Sequence, residues 1–272
     1  MYPIDVHDLH HTYPDGTVAL QGVSLRIAPG EAVALAGHNG AGKSTLARHL
    51  NGLLLPTVGH VTIGDWDTRQ QPVEKIAGRV GYVFQNPDDQ LFSRTIKQEV
   101  NFGPQNLGFA PAKTERLVAD ALQLTGLADL AHASPFDLAW AARRRVALAA
   151  VLAMATPIVV LDEPTAGQDH RSLARLSGII TKLRQRGKTL VAITHDLDFA
   201  AAHFDRLVIM KSGKVAFDGT AIDALADSTL LAEAGLEPPP LARLSAALAL
   251  ARPARHVAEF LDLYQQKMGA SR

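Results

Sequence analysis

The sequence of 272 residues predicts an α/β fold with an antiparallel β subdomain, a helical lobe and a C-terminal helical extension. The apolar runs IVVLDE, TLVAIT and RLVIMK have strand character and alternate with helical patterns, which is typical of a largely parallel sheet. Earlier in the chain, a glycine-rich loop with the sequence GHNGAGKST separates a short apolar run from a helical pattern. That order of strand, loop and helix also favours an α/β fold.

Short strands are predicted for the beginning of the chain. Residues 4–35 alternate apolar runs with turns such as Pro14-Asp15-Gly16, which indicates antiparallel strands. The run EAVALA at 31–36 is apolar enough to be a buried strand. HVTIGD and RVGYVF continue the strand pattern as far as Phe84.

Helical patterns dominate the middle and the end of the chain. From about residue 93 to residue 155, apolar residues recur at helical spacing, which predicts the helical lobe. After Gly235, three consecutive prolines precede two Ala/Leu-rich helical segments, and these predict the extension over 236–272. In the last segment the apolar side chains lie near one face; they are Val257, Phe260, Leu261 and Tyr264. This face is expected either to contact a partner or to pack against the chain itself, and the sequence leaves both alternatives open.

Composition excludes several classes of partner and site. Lys plus Arg and Asp plus Glu number 27 each, so no overall positive field attracts nucleic acid, and no nucleic-acid partner is predicted. The chain contains no cysteine, which excludes disulfides and thiolate metal sites. The N-terminus lacks the pattern of a signal peptide, and the longest apolar stretch is interrupted at Thr156 and Pro157. Any work at a membrane is therefore expected to depend on partner proteins.

The glycine-rich loop matches the GxxxxGK[ST] spacing, whose backbone N–H groups surround the phosphates of a nucleotide. Lys43 supplies positive charge to the β- and γ-phosphates, and the Ser44 hydroxyl is suited to hold Mg²⁺. The loop therefore predicts binding of ATP or GTP. The residues expected to contact the nucleotide are Gly37, His38, Asn39, Gly40, Ala41, Gly42, Lys43, Ser44 and Thr45.

Two carboxylates follow the predicted strand IVVLDE, at the strand end where α/β sheets bind ligands. Asp162 is a candidate anchor for Mg²⁺, and Glu163 is a candidate for polarising an attacking water. Capping of a helix is the alternative role for this pair. His195 ends the next strand and is expected at the same edge, as a contact to the γ-phosphate. Three consecutive arginines, 143–145, are interpreted as a solvated helix face with one or two pairs to acids, in preference to a role in phosphate binding.

In these motifs the chain resembles the nucleotide-binding subunits of ABC transporters over roughly residues 4–235. The resemblance implies the P-loop NTPase fold of an ABC cassette over 1–235, with ATP and Mg²⁺ as cofactors. It identifies Walker A at 37–45, Walker B at 158–163 and the D-loop at 166–169. It also assigns Gln85 as the Q-loop glutamine, His195 as the switch histidine and Tyr13 as the aromatic that stacks on adenine. Catalysis is thereby assigned to Glu163, His195 and Gln85, and the metal to Ser44, Gln85 and Asp162.

The segment FQNPDDQLF at 84–92 resembles the energy-coupling-factor (ECF) class within that family. This resemblance implies an ATPase that energises uptake of a vitamin or a transition-metal ion. It further implies a transmembrane coupling subunit, a substrate-binding membrane subunit and a peripheral position on the cytoplasmic face of the membrane. An acidic surface turn is the alternative reading of the segment.

One motif departs from the family. Where the signature LSGGQ is expected, the chain has LAWAA from Leu138 to Ala142. In the family this loop contacts the γ-phosphate held by the opposite cassette, and Ala139 has no hydroxyl to donate. A heterodimer in which a second ABC ATPase subunit supplies an intact signature is therefore expected. An active pair that tolerates LAWAA, alanines introduced by design, and a subunit that binds ATP but largely does not hydrolyse it remain open.

Overall fold

The computed structural model describes residues 2–270. Met1, predicted to begin the cassette, and Ser271 and Arg272, predicted to end the extension, lie outside the described residues. Within 2–270 the strands are β1 (Ile4–Thr12), β2 (Val18–Ile27), β3 (Ala32–Ala36), β4 (Val58–Ile63), β5 (Trp66–Asp67), β6 (Val80–Val83), β7 (Ile158–Asp162), β8 (Thr189–Thr194), β9 (Arg206–Lys211) and β10 (Lys214–Thr220). The α-helices of the same range are α1 (Lys43–Leu50), α2 (Val73–Ala77), α3 (Ile96–Asn106), α4 (Pro111–Thr125), α5 (Trp140–Ala153), α6 (His170–Gln185), α7 (Leu197–His203), α8 (Ala221–Ala226), α9 (Ser228–Glu233), α10 (Pro240–Ala247) and α11 (Val257–Ala270).

The strands form two sheets. One is antiparallel, in the order β2-β1-β4-β5, and it is the predicted antiparallel subdomain. The other has the order β10-β9-β3-β8-β7-β6, and only β10 runs antiparallel to its neighbour. The α/β fold is thus confirmed, although β6 belongs to the parallel sheet and does not continue the antiparallel pattern.

The parallel sheet is covered on both faces, as such sheets require. Every residue of β3, β7 and β8 is buried, because these strands consist almost entirely of Val, Ile, Leu and Ala. Helices α3 to α6 contribute to the core on one face. Helix α1 and the antiparallel sheet contribute to the core on the other.

The order of the central strands brings the predicted motifs to one edge. Strands β3, β8, β7 and β6 are consecutive neighbours and run parallel. Their last residues are in register, with Ala36 beside Thr194, Asp162 beside Ile193 and Val83 beside Leu161. The segments that follow these strands therefore meet at the carboxyl edge of the sheet.

The helical lobe and the C-terminal helices form where the periodicity predicts them. Helices α3, α4 and α5 lie between residues 93 and 155, and α10 begins at Pro240, where proline is favoured in a first helical turn. On α11, Val257, Leu261 and Tyr264 are exposed, whereas Leu263 is buried. The predicted face thus does not pack fully against the chain, and its contact with a partner stays a prediction, as does the boundary at residue 235.

Several short elements were not predicted, and β10 and α2 are two of them. Strand β10 alternates half-buried and exposed residues at the edge of the sheet, and helix α2 has only five residues. Neither has the long apolar run on which the other assignments rest. Among the helices of the described range, none combines the length and the apolar character needed to cross a membrane.

Candidate functional site

The glycine-rich loop joins β3 to α1, and two of its glycines are required by close packing. A Cβ at Gly42, whose φ is +99°, would lie 2.7 Å from the carbonyl oxygen of Ala19. A Cβ at Gly37 would lie 2.4 Å from the carbonyl oxygen of Met210. Gly42 also caps α1 without a side chain, so the N–H groups of the first turn remain directed at the loop. The loop is therefore built to bind an anion through its backbone.

Lys43 lies inside this loop and is 6% exposed. Its Nζ donates to the carbonyl oxygens of Gly37 and His38, at 2.7 and 3.0 Å. Burial lowers the pKa of Lys43, and the negative charges of Glu163 and Asp162 oppose that shift. The ammonium group is thus held by the loop and attracted by the negative charges of Asp162 and Glu163.

A cavity opens beside the loop and contains most of the predicted nucleotide contacts. The Tyr13 hydroxyl lies 3.0 Å from Oγ1 of Thr45, which fixes the Tyr13 ring at the cavity wall. Gln85, Glu163 and Ser44 line the same cavity. The lining residues are Tyr13, Thr17, Val18, Ala19, Asn39, Gly40, Gly42, Lys43, Ser44, Thr45, Gln85 and Glu163.

The carboxylate of Asp162 is buried at the end of β7 and accepts two hydrogen bonds. The Ser44 Oγ donates to Oδ1 at 3.3 Å, and the Tyr82 hydroxyl donates to Oδ2 at 2.7 Å. Burial raises the pKa of Asp162, while these two hydrogen bonds act in the opposite direction. The hydroxyl of Ser44 and the carboxylate of Asp162 are the hard oxygen donors that Mg²⁺ prefers, so this pair fits that ion. Tyr82 was missed because an aromatic residue in an apolar strand gives no sign of a polar contact.

Glu163 follows Asp162 and is in contact with His195. The His195 Nδ1 lies 3.0 Å from Oε2 of Glu163, and the Glu163 backbone N–H donates to the carbonyl oxygen of Ile193. Glu163 is buried, whereas His195 is largely exposed. Glu163 also has a φ of +46°, a strained conformation for a residue with a side chain. The structure therefore unites the two side chains that the sequence placed on separate strands.

Arg144 corrects the interpretation of the three arginines as a solvated face. It is 4% exposed, and its guanidinium donates to the carbonyl oxygens of Asp162, Glu163 and Ala166. Arg143 does pair with an acid, since its NH1 lies 2.7 Å from Oδ1 of Asp88. Arg144 binds backbone carbonyl oxygens and not an acidic side chain. The pattern of charged residues in the sequence therefore could not predict that Arg144 is buried.

The segment LAWAA lies at the beginning of α5 and does not line the cavity around the loop. Ala139 is the N-cap of α5, and no side chain caps the helix. The Trp140 ring packs against Gly167, since a Cβ at Gly167 would lie 2.4 Å from Cζ3 of Trp140. The Arg144 guanidinium lies 5.0 Å from the centre of that ring. Trp140 therefore covers the loop that follows β7 within the same chain.

Comparisons with known proteins agree with these motifs. The sequence profile described as ABC transporter matches residues 20–166. A putative ABC transporter ATP-binding protein of Geobacter sulfurreducens is 47% identical over 236 residues, which are 87% of this chain and 94% of that protein. The energy-coupling factor transporter ATP-binding protein EcfA of Methanocaldococcus jannaschii is 39% identical over 246 residues, which are 90% of this chain and 88% of that protein.

Solved structures show the same similarity. The cbiO1 protein of Clostridium perfringens, part of the ABC transporter complex cbiONQ, superposes with a TM-score of 0.75 at 33% identity, covering 90% of this chain and 99% of that one. A dimeric ATP-binding cassette bound to ADP and Pi superposes with a TM-score of 0.73 at 27% identity, covering 80% of this chain and 98% of that one.

Proposed function

This chain belongs to the ABC transporter family as an ATP-binding subunit of the energy-coupling-factor type, and we propose that it powers uptake of a vitamin or a transition-metal ion. Its ATP hydrolysis is coupled to transport. The contact between Glu163 and His195 beside the phosphate loop is the observation that carries the assignment of the reaction to this chain's own residues.

In the proposed reaction, water attacks the γ-phosphate in line with the leaving oxygen. Glu163 accepts a hydrogen bond from the water and polarises it. His195, held by Glu163, contacts the γ-phosphate, and Lys43 stabilises charge on the β- and γ-phosphates. Tyr13 stacks on the adenine from the cavity wall.

The metal proposed for this site is Mg²⁺, held by Ser44, Gln85 and Asp162. Ser44 and Asp162 are already joined by a hydrogen bond, and Gln85 lines the same cavity as Ser44. Bound there, the ion would neutralise charge that develops between the β- and γ-phosphates. Tyr82 orients the Asp162 carboxylate for this role.

We further propose that the chain works on the cytoplasmic face of the membrane, bound to an ECF-type coupling subunit that in turn contacts a substrate-binding subunit. An apolar groove between β6 and α3 is the proposed docking place. Phe92 and Phe102 are 59% and 49% exposed there, with ring centres 4.7 Å apart. Glu99 holds the backbone of this rim, since its carboxylate accepts from the N–H groups of Phe92 and Ser93. Phe84 also lines the groove, and the next residue, Gln85, lines the cavity around the phosphate loop, so the two places are adjacent along the chain.

The proposed assembly contains a second ATPase subunit, in head-to-tail contact. In it, this chain supplies Walker A, Glu163 and His195 to one site and the defective LAWAA loop to the other. The missing hydroxyl at Ala139 and the bulk of Trp140 support a heterodimer, because a homodimer would carry the damaged loop at both sites. A subunit that only holds ATP is not favoured, since Glu163 and His195 are in contact.

The test is ATP turnover by the complex with Glu163→Gln, with ATP binding measured in parallel. We expect turnover to fall by about a hundredfold or more and ATP affinity to be retained, because Gln keeps the shape but cannot act as a base. Glu74→Gln, on the exposed part of α2, is the matched control and should match the parent. Parental turnover in Glu163→Gln would refute the assignment.

A further inference from the structure

A second polar cavity lies between α5, which begins within LAWAA, and α6, which follows the D-loop. It is formed by α5, α6 and the end of α4, and it shares no residue with the cavity around the phosphate loop. Its lining residues are Gly126, Arg145, Asp169, Arg171, Ser172 and Arg175.

The charge in this cavity is unbalanced. Three guanidinium groups face a single carboxylate, that of Asp169, which accepts from the Ser172 N–H at 2.7 Å as the cap of α6. Arg175 donates to the carbonyl oxygen of Thr125 at 2.9 Å and lies against Gly126. In the part of the chain that the structure describes, the guanidinium groups of Arg145 and Arg171 take part in no hydrogen bond and no ion pair.

Among the three arginines, Arg145 has a buried side-chain nitrogen, Nε, without a hydrogen-bond partner in the described residues. Burial lowers the pKa of Arg145, and the charges of Arg175 and Arg171 lower it further, against the opposing charge of Asp169. A buried donor without an acceptor, next to two like charges, is costly unless an anion is present.

We propose that this cavity binds a small phosphate-class oxyanion, held by Arg145, Arg171 and Arg175. A planar guanidinium group can donate two hydrogen bonds to two oxygens of one phosphate. The three arginines and Asp169 leave two excess positive charges in the cavity, and a dianion would balance them. Because Arg145 lies on α5, Arg171 and Arg175 lie on α6, and Arg175 also holds the end of α4, the anion would tie these three helices together. The site lies beyond the proposed reaction and does not depend on it.

Calorimetric titration of the full chain with inorganic phosphate at constant ionic strength tests the site. The phosphate loop is first filled with Mg²⁺ and the β,γ-imido analogue of ATP, so that every phosphate position there is occupied. We expect saturable binding that is about tenfold or more weaker in Arg171→Gln and in Arg145→Gln, since each substitution removes a hydrogen bond to a charged group.

Arg116→Gln is the matched control, because Arg116 is exposed on α4 and about 15 Å along that helix from Gly126. It should bind phosphate like the parent. Absence of saturable binding, or equal binding by Arg116→Gln and Arg171→Gln, would overturn the proposal. Because Arg171 is exposed, Arg171→Gln is expected to fold, and it decides the outcome even if Arg145→Gln does not fold. A parallel titration with glycerol 3-phosphate identifies the source: weaker binding than that of inorganic phosphate indicates free phosphate, and equal binding indicates a phosphate monoester.

Discussion

At the scale of single residues, Arg144 holds the loop that carries the proposed catalytic glutamate. One guanidinium satisfies the carbonyl oxygens of Asp162, Glu163 and Ala166, where the chain leaves β7. Glu163 has a positive φ, so its conformation depends on contacts of this kind. Burial lowers the pKa of Arg144, and the charges of Asp162 and Glu163 oppose that shift.

Replacing Arg144 by Met should therefore disturb both stability and chemistry. Two buried carbonyl oxygens and one partly buried one lose their donor, and we expect a loss of about 3 kcal/mol in the free energy of unfolding. We also expect ATP turnover to fall more than ATP affinity, because the displaced group is Glu163. Denaturant unfolding and steady-state kinetics measure the two effects. Arg143→Met, which removes only the pair with Asp88, should cost less than about 1 kcal/mol, and equal losses in both variants would contradict this role.

His49 predicts a pH dependence of stability. It is fully buried on α1, its Nδ1 donates to the Thr45 carbonyl oxygen, and burial lowers its pKa below the ordinary 6.5. As the pH falls below about 6.5, His49 becomes protonated in the unfolded chain but stays neutral in the folded chain. The free energy of unfolding therefore decreases from that pH down to the pKa of His49 in the folded chain.

Unfolding free energies measured between pH 7 and 5.5 test this. In His49→Gln the decline toward acid should be shallower by up to about 1.4 kcal/mol per pH unit, the effect of one proton. His132→Gln, at an exposed position, should keep the parental slope. The same slope in parent and His49→Gln would show that His49 is not responsible.

How far the site could be predicted depends on the kind of residue. Lys43, Asp162 and Glu163 follow from motif spacing, because a phosphate loop and a carboxyl strand end demand those residue types. Arg144 and Tyr82 could not be found in this way, since what they do depends on partners that are distant in sequence. The tie between His195 and Glu163 likewise required the strand order.

At the scale of elements, apolar composition and periodicity predicted the strands β3, β7, β8 and β9, whose residues are almost all buried. The assignment of β6 to the antiparallel pattern was wrong, because a four-residue apolar run does not specify its partner strand. Strand β10 was not predicted because it has no apolar run: it lies at the sheet edge, and its exposed positions are mostly polar.

The groove between β6 and α3 permits a test of docking. Phe102→Ser should weaken association with an ECF-type coupling subunit by about tenfold or more, because an exposed aromatic anchor at an interface contributes at least that much. Co-purification from membranes that contain the coupling subunit measures the effect. ATP binding should not change, since Phe102 does not line the nucleotide cavity.

Phe136→Ser is the control for this experiment, because Phe136 is comparably exposed but lies outside the groove. Loss of association in both variants would indicate general damage to the helical lobe. Full association of Phe102→Ser would exclude this groove as the docking place.

At the scale of the whole molecule, the chain carries the proposed catalytic residues at one sheet edge and a loop that departs from the family signature at the beginning of α5. The edge is formed by β3, β8, β7 and β6, and its side chains are in contact. The altered loop replaces small residues by Trp140, whose ring covers Gly167. In a pair of cassettes arranged head to tail, the two features would belong to different ATP sites.

Restoring LSGGQ in place of LAWAA tests that division. The quadruple variant is Ala139→Ser, Trp140→Gly, Ala141→Gly and Ala142→Gln. It returns a hydroxyl donor and uncovers Gly167, so the purified chain alone should hydrolyse ATP about a hundredfold faster or more. Adding Glu163→Gln to this variant should abolish the gain, which ties it to the same catalytic residue. Rapid turnover by the unaltered chain, unchanged in the variant, would mean that LAWAA is tolerated and that a homodimer suffices.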